Sequence, residues 1–171
     1  MPQHGSLTFV IGGARSGKSR YAEDLAMSCP APRLYVATAQ AFDDEMHERI
    51  AHHQARRDPT WQTVEAPVDL ADVLAAEGAG RTVLIDCLTL WLTNVMLAGR
   101  DVEAACDGLA RALARPAGQW FAVSNEVGLG IVPDNALARA FRDAAGRLNQ
   151  MIAAEANSVV FMAAGLPMKL K

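Results

Sequence analysis

The segment GGARSGKS, residues 12–19, constrains the fold of this chain more than any other feature of its sequence. It matches G-x-x-x-x-G-K-[ST], a loop whose backbone N–H groups surround the phosphates of a nucleotide. The apolar run 7–11 precedes it, and an alanine-rich segment follows. A strand, this loop and a helix in that order predict a site for a nucleoside triphosphate. The motif does not identify the reaction, because switches, motors and kinases share it.

Three polar side chains near this loop suit phosphate chemistry. Lys18 is expected to bring its positive charge to the outer phosphates, and Ser19 to hold Mg²⁺. The run 82–86, TVLID, is typical of the acidic strand of such folds, so Asp86 is a candidate for the Mg²⁺ shell. Taken alone, Asp86 is also compatible with an ordinary turn.

Short apolar runs alternate with helical patterns along the chain. The predicted strands are residues 7–11, 33–38, 82–88, 120–124 and 158–163, with 61–65 as a further candidate. This alternation predicts an α/β fold with a mostly parallel sheet and helices on both faces. The length of 171 residues suits one sizeable core, so we expect residues 1–171 to form a single domain.

Charge and cysteine content limit the kinds of partner that the chain can bind and the cellular compartment in which it is expected. The net charge of −3 gives no broad basic field, so nucleic acid is not an expected partner. Cys29, Cys87 and Cys106 are widely spaced, which predicts neither a disulfide framework nor a zinc site and favours a reducing cytosol. The first predicted strand begins too early for a signal peptide. The run 88–97 is too short to span a bilayer, so no membrane insertion is expected.

Polar residues also follow the strand predicted at 120–124. Asn125 and Glu126 come directly after it, where ligands bind in open α/β sheets, although the glycines that follow also suit a flexible turn. The clearest helical pattern begins after Pro133, where Asp134 can cap the helix. Its predicted apolar face is formed by Leu137, Phe141, Ala144, Leu148 and Ile152.

Residues 41–57, AFDDEMHERIAHHQARR, begin with acidic and end with basic side chains, which favours a helix. His47 and His52 are five residues apart, rather than four as in H-E-x-x-H. Side chains at that spacing diverge on a helix, so a shared zinc ion is not predicted.

The same helical geometry separates two adjacent histidines. His53 continues a stripe formed with Phe42, Met46 and Ile50, which predicts that it faces the core. His52 shares a polar face with Glu48, Arg49 and Arg56, a setting that suits a nucleotide phosphate. A neutral imidazole can act as a nucleophile. Periodicity alone equally allows an exposed, inert His52.

Several segments in order resemble one enzyme family: GGARSGKS, then YVATAQ with DDEM and RIAHH, then WQTVE, and finally NEVGLGIVP at 125–133. Together they are similar to the bifunctional adenosylcobinamide kinase and adenosylcobinamide-phosphate guanylyltransferase of cobalamin biosynthesis. The resemblance covers almost the whole chain, and its histidine segment is far more specific than the phosphate loop. It implies a P-loop NTPase-like (RecA-like) α/β fold, a cytoplasmic location and assembly into a homotrimer.

The resemblance also implies roles for individual residues. It makes His52 the residue that takes GMP from GTP. It places a nucleotide site at Gly12, Gly13, Ala14, Arg15, Ser16, Gly17, Lys18, Ser19, Ala37, Thr38, Ala39, Gln54, Ala55, Arg56, Arg57, Glu65 and Asp86. Members of the family can carry Glu at the position of Asp86, and a glycine-containing turn where this chain has residues 54–57.

The implied reaction has two steps. ATP or GTP, with Mg²⁺, first phosphorylates the hydroxyl of the aminopropanol arm of adenosylcobinamide. GMP from GTP is then transferred through His52 to the phosphorylated corrinoid. Two other hypotheses stay open on the sequence: a small-molecule kinase with an inert His52, and a nucleotide-dependent switch in which the loop 125–133 moves.

Overall fold

The computed structural model describes residues 5–40, 44–55 and 57–171, and for residues 45, 46, 49 and 52–54 it describes the helical backbone only. Strands and helices alternate through most of the chain. In order they are β1 (Ser6–Gly12), α1 (Lys18–Met27), β2 (Arg33–Ala37), α2 (Asp44–Ala55), β3 (Trp61–Glu65), α3 (Leu70–Glu77), β4 (Thr82–Asp86), α4 (Leu88–Leu97), α5 (Val102–Leu113), β5 (Gln119–Asn125), α6 (Ala136–Glu155), β6 (Ser158–Ala163) and β7 (Leu166–Lys169).

The strands form one seven-stranded sheet in the order β3-β2-β4-β5-β1-β6-β7. All neighbouring strands are parallel except β6 and β7, which pair antiparallel. The predicted α/β fold with a mostly parallel sheet is therefore confirmed. This strand order brings the carboxyl ends of β1, β2, β4 and β5 to one edge of the sheet, where ligands bind in open α/β folds.

The sheet separates two apolar clusters, and strand β2 shows how. Leu34 and Val36 belong to the larger cluster, whereas Tyr35 and Ala37 lie with the smaller cluster on the other face. Successive side chains of a strand point to opposite faces, so this division follows from the period of two. It decides which β2 side chains can reach a site on the face of Tyr35.

Helix α6 differs from its predicted start. Asn135, rather than Asp134, is the N-cap residue, and its side chain accepts a hydrogen bond of 2.8 Å from Ala138 N. Leu137 was predicted to face the core but is exposed, because it lies in the first turn of α6, ahead of the buried residues of the helix, which begin at Ala144. Ala144, Leu148 and Ile152 are buried as predicted.

Two other predictions need correction. The strands predicted at 33–38 and 82–88 end at Ala37 and Asp86, and α4 begins at Leu88. Strand β7 was not predicted. Within the ranges 5–40, 44–55 and 57–171, no helix combines the length and the apolar character needed to cross a membrane.

Candidate nucleotide site

A cavity of about 720 Å³ opens at the carboxyl edge of the sheet. Its walls come from the phosphate loop, β2, β3, β4, the start of α4, the end of β5 and helix α2. Such a volume is typical of a small-molecule site. Four of the lining side chains are cationic, Arg15, Lys18, Arg20 and Arg57, whereas Asp86 is the one acid among the described lining residues. A chain with a net charge of −3 thus has a locally basic cavity, which suits a polyphosphate.

The phosphate loop connects β1 to α1 and leaves the start of that helix open. Gly17 is the N-cap of α1 with φ of 90°, a left-handed conformation that glycine adopts without strain. It has no side chain to cap the helix, and the first turn of α1 contains no acidic residue. The helix terminus therefore presents its positive end to the cavity without an internal anion, as phosphate binding requires.

The turn between β6 and β7 supports this loop from behind. Gly165 N donates a hydrogen bond of 2.9 Å to Ser16 O, and a Cβ atom at Gly17 would lie 3.3 Å from Gly165 Cα. At Gly12 a Cβ atom would approach Met162 O to 2.6 Å. Both glycines therefore allow the close packing of the loop against the β6–β7 hairpin.

One buried polar atom of the loop has no partner within the described part of the chain. The hydroxyl of Ser16 is buried and makes no hydrogen bond. A buried hydroxyl without a partner is costly, and a bound oxyanion would accept its proton. This observation agrees with a phosphate group in the loop.

Lys18 is buried rather than on the surface, with 8% of its area exposed. Its Nζ atom donates a hydrogen bond of 2.9 Å to Gly13 O, which folds the side chain back over the loop. Burial lowers the pKa of Lys18 from its ordinary value, and the negative charge of Asp86 opposes that shift. The partly desolvated ammonium group thus lies within the phosphate loop at the cavity, where its charge acts more strongly than in bulk water.

Asp86, at the end of β4, connects the phosphate loop to β2. Ser19 Oγ donates to Asp86 Oδ1 over 3.3 Å, and Tyr35 Oη donates to Asp86 Oδ2 over 3.1 Å. Burial, followed by the charge of Asp86, raises the pKa of Tyr35, so its hydroxyl stays protonated and remains a donor. Two donors therefore fix the orientation of the Asp86 carboxylate.

The ring of Tyr35 also holds a cation at the cavity wall. The guanidinium carbon of Arg57 lies 3.2 Å from the ring centroid, which is a cation–π contact. Trp61 packs against the same ring edge to face, with centroids 6.4 Å apart. Tyr35 thus links Arg57, two residues after helix α2, to the carboxylate beside the phosphate loop.

Thr38 and Cys87 have mainly structural contacts. Thr38 Oγ1 donates to Cys87 O and accepts from Cys87 N, and Asn94 Nδ2 donates to Thr38 O. These bonds fasten the end of β2 to the end of β4. Cys87 lines the cavity, but burial, followed by the charge of Asp86, raises the pKa of its thiol, which disfavours a nucleophilic thiolate.

The structure brings most of the predicted nucleotide residues to the cavity. Ala37, Ala39, Arg57 and Asp86 line it, together with residues 14–19 of the loop. Thr38, one residue after β2, is buried and does not line the cavity. Glu65 is exposed on the same face of β3 as the cavity residue Thr63, next to Ala37 in register. Arg56 and the side chain of Gln54 lie outside the described part, and Ala55 is exposed.

Helix α2 reaches the cavity through Ile50. This residue was predicted to face the core with His53, but it is half-buried and lines the cavity. The stripe that contains Ile50 is therefore not simply a core stripe. His52 and His53 lie in the last turn of α2, and their side chains are outside the described part, as is Phe42 of the predicted stripe.

Sequence reasoning missed several cavity residues. Tyr35, Ile50, Thr63, Cys87 and Leu90 line the cavity without having been predicted to do so. Asn125, which was predicted only as a residue at a strand end, lines it as well. Glu126 follows at the rim, where its side chain accepts a hydrogen bond of 2.6 Å from Gly128 N.

Comparison with known proteins identifies one enzyme family and relatives that cover nearly the whole chain. Residues 8–170 match the CobU family, described as cobinamide kinase / cobinamide phosphate guanyltransferase. The chain is 49% identical over 165 residues to the bifunctional adenosylcobalamin biosynthesis protein CobP of Pseudomonas aeruginosa, covering 95% of each chain. It is 40% identical over 181 residues to the bifunctional adenosylcobalamin biosynthesis protein CobU of Escherichia coli, covering 96% of this chain and 99% of that protein.

Among solved structures, the chain is similar to the VirB11 ATPase from the Brucella suis type IV secretion system in complex with sulphate, at 14% identity and a TM-score of 0.48. The match covers 97% of this chain and 47% of that one, so this chain spans about half of the ATPase. The strand order and the phosphate loop of this chain themselves define its α/β fold class.

Proposed function

The chain belongs to the cobinamide kinase / cobinamide phosphate guanyltransferase family, and from this premise we propose that it catalyses both transfers at the cavity described above. In the first, ATP or GTP phosphorylates adenosylcobinamide. In the second, GMP from GTP is transferred to adenosylcobinamide phosphate, giving adenosylcobinamide-GDP and pyrophosphate. The observation that carries the proposal is a phosphate loop with a basic cavity in a chain that matches its bifunctional relatives over nearly its whole length.

In the kinase step, the chain mainly has to position phosphates and stabilise their charge, since phosphoryl transfer requires little covalent chemistry from a protein. The open N-terminus of α1 and the amide groups of the loop bind the phosphates. Lys18 exchanges its hydrogen bond to Gly13 O for a phosphate oxygen. The buried hydroxyl of Ser16, which has no hydrogen-bond partner in the described part of the chain, donates to a second phosphate oxygen.

We propose that Ser19 and Asp86 hold Mg²⁺. Both supply oxygen ligands, which Mg²⁺ prefers, and their oxygens are already 3.3 Å apart at the phosphate loop. When bound, the ion neutralises charge on the phosphates. Because Asp86 is one methylene shorter than the Glu found in some family members, we propose that a water molecule bridges it to the ion.

Tyr35→Phe should weaken the gain in GTP affinity that Mg²⁺ provides, by about three- to tenfold, the effect of one lost hydrogen bond. The change removes only the hydroxyl that orients Asp86 and keeps the ring beneath Arg57. GTP affinity would be measured by calorimetry with Mg²⁺ and with a chelator. Tyr21→Phe is the matched control, because the partly buried Tyr21 packs against the same apolar cluster that contains Tyr35. An equal Mg²⁺ effect in both variants would exclude this role for Tyr35.

The guanylyl transfer is proposed to proceed through His52. A ring nitrogen attacks the α-phosphorus of GTP, an N–P bond forms, and the bond to the bridging oxygen breaks as pyrophosphate leaves. A phosphate oxygen of the phosphorylated corrinoid then attacks the same phosphorus and the histidine leaves. Support comes from the chain position of His52, two residues after the cavity residue Ile50 and five before Arg57.

The proposed nucleotide contacts extend beyond the loop, to Ala37, Thr38, Ala39, Gln54, Ala55, Arg56, Arg57, Glu65 and Asp86. Arg57 is the best supported of these distant residues, because it lines the cavity as a fixed cation. Thr38 is proposed to contribute indirectly, because its hydrogen bonds to the backbone of Cys87 hold the ends of β2 and β4 together at the nucleotide site.

We extend the proposal to a single catalytic domain, a cytoplasmic location and a homotrimer. Support for association comes from β7, an edge strand at which Leu166, Met168 and the adjoining Leu170 are exposed. Exposed apolar residues on an unpaired edge are typical of protein contacts. Light scattering would give the mass, and a monomeric result would exclude the trimer.

The direct test of function is incubation with adenosylcobinamide, GTP and Mg²⁺, followed by mass analysis of the corrinoid. Formation of adenosylcobinamide-GDP is expected. A product that stops at adenosylcobinamide phosphate would identify a kinase without nucleotidyl transfer. GTP binding with no change in the corrinoid would favour a nucleotide-dependent switch.

A further inference from the structure

An apolar segment projects from the rim of the cavity between β5 and α6. In residues 127–132, Leu129 is 83% exposed, Ile131 is 97% exposed and Val132 is also exposed. Large apolar side chains grouped in this way are uncommon on a surface that contacts only water, and they indicate a binding site.

This segment is held at both ends. At its start, Glu126 N donates a hydrogen bond of 2.9 Å to Gly12 O, and Asn149 Nδ2 donates to Asn125 O over 3.2 Å. At its end, the guanidinium group of Arg139 donates to Pro133 O and Asp134 O over 2.9 Å and 2.8 Å. The apolar side chains are therefore presented by an anchored platform.

The anchor places the platform beside the phosphate site. Gly12 is the last residue of β1 and the first residue of the phosphate loop, and Asn125 lines the cavity. Residues 127–132 begin two residues after Asn125, at the end of β5 where the cavity lies. The platform is thus continuous with the nucleotide site.

The acceptor must extend out of the cavity. On the proposed function, which this inference assumes, adenosylcobinamide brings only the hydroxyl of its aminopropanol arm to the nucleotide. The cavity of about 720 Å³ also has to hold the nucleotide, so the corrin ring remains outside it. The rim of that ring carries methyl groups and amide side chains. Methyl groups suit Leu129 and Ile131, and amides suit the backbone of a glycine-containing segment.

We propose that residues 127–132 form the docking platform for the corrin ring of the acceptor, with Leu129 and Ile131 as its main apolar contacts. The platform holds the acceptor while its hydroxyl, and later its phosphate, reaches the nucleotide. It contributes to acceptor binding and not to nucleotide binding.

The test uses the Leu129→Ser and Ile131→Ser variants of the full chain. Each should raise the KM for adenosylcobinamide on the order of tenfold, the effect of losing one apolar contact with a substrate. The KM for GTP and the incorporation of GMP into the protein should not change. Leu97→Ser is the matched control, because Leu97 is 69% exposed at the end of α4, a helix that starts at the cavity and runs away from it.

An acceptor KM equal to that of the wild-type protein in both variants would overturn the platform. So would a change in mass by light scattering, since residues 127–132 would then be a contact between subunits. The proposed function fails separately, if the wild-type protein does not alter the corrinoid at all.

Discussion

Lys18→Ala is expected to slow both transfers by about 10²- to 10³-fold, the loss seen when one preorganised donor to a transition-state oxygen is removed. That loss corresponds to about 3–4 kcal/mol of transition-state stabilisation. The effect is large because Lys18 is buried beside Asp86 and the phosphate loop, where its charge is poorly screened. Rates of adenosylcobinamide phosphate formation and of GMP incorporation would both be measured under single-turnover conditions.

Because Lys18 is buried, the Lys18→Ala variant must also be checked for a change in folding stability. The change leaves Gly13 O without the Nζ donor but removes a desolvated charge, so unfolding free energy should change by about 1 kcal/mol or less. A denaturant melt checks this. Lys169→Ala, at an exposed position of β7, is the lysine control and should keep both activities. A folded Lys18→Ala protein with wild-type rates would remove Lys18 from the mechanism.

The part of the site that the sequence predicts best is the part formed by local structure. Residues 14–19 line the cavity because a strand, a glycine-rich turn and a helix start are consecutive in the chain. Asp86 could be placed for a similar reason, since the carboxyl ends of parallel strands meet at one edge. The first inference needs only local structure, and the second needs only the general topology of a parallel sheet.

Tyr35 could have been found from the same sequence. Ala37 was expected at the nucleotide, and residues two apart on a strand face the same side. Tyr35 therefore shares the cavity face of β2, as the structure shows. Thr38 lies one residue beyond the end of β2, where it is buried and hydrogen-bonded to Cys87.

Other features depend on contacts that no local pattern encodes. Ile50 and Leu90 meet at the cavity from helices α2 and α4, which are far apart in the chain. Strand β7 is short, exposed and contains Pro167, so it lacks both the alternation and the β-forming residues of a predictable strand. It pairs with β6 through a turn in which Ala164 and Gly165 have positive φ, and that turn supports the phosphate loop.

Helix α2 shows how a correct periodicity can be assigned to the wrong environment. A stripe at steps of three and four predicts one face of a helix, but an apolar cavity wall and a protein core give the same pattern. Ile50 lies on the predicted stripe and lines the cavity. Helix periodicity therefore does not decide whether His52 or His53 is the nucleophile, and covalent labelling of the two variants is the experiment that separates them.

GTP labelled at the α-phosphate should mark the protein covalently, and GTP labelled at the γ-phosphate should not. A histidine that attacks the α-phosphorus keeps GMP and releases pyrophosphate, so only the α label remains. A kinase with an inert histidine would retain neither label. The measurement is the radioactivity that stays with denatured protein after separation from free nucleotide.

The stability of the label identifies the bond. A histidine adduct is a phosphoramidate, in which acid protonates the ring nitrogen and makes it a good leaving group. The label should therefore be lost in acid and persist in alkali. A serine ester resists mild acid, so an acid-stable label would point to a hydroxyl nucleophile instead.

His52→Ala should abolish the α label completely while the protein still makes adenosylcobinamide phosphate, because the kinase step needs the loop, the metal and a bound acceptor but no nucleophilic histidine. His53→Ala is the matched variant, one residue away in the same turn of α2, and it should keep the label. Loss of the label in His53→Ala alone would make His53 the nucleophile. Retention of an acid-labile label in both variants would assign it to a different residue and contradict the proposed transfer through His52.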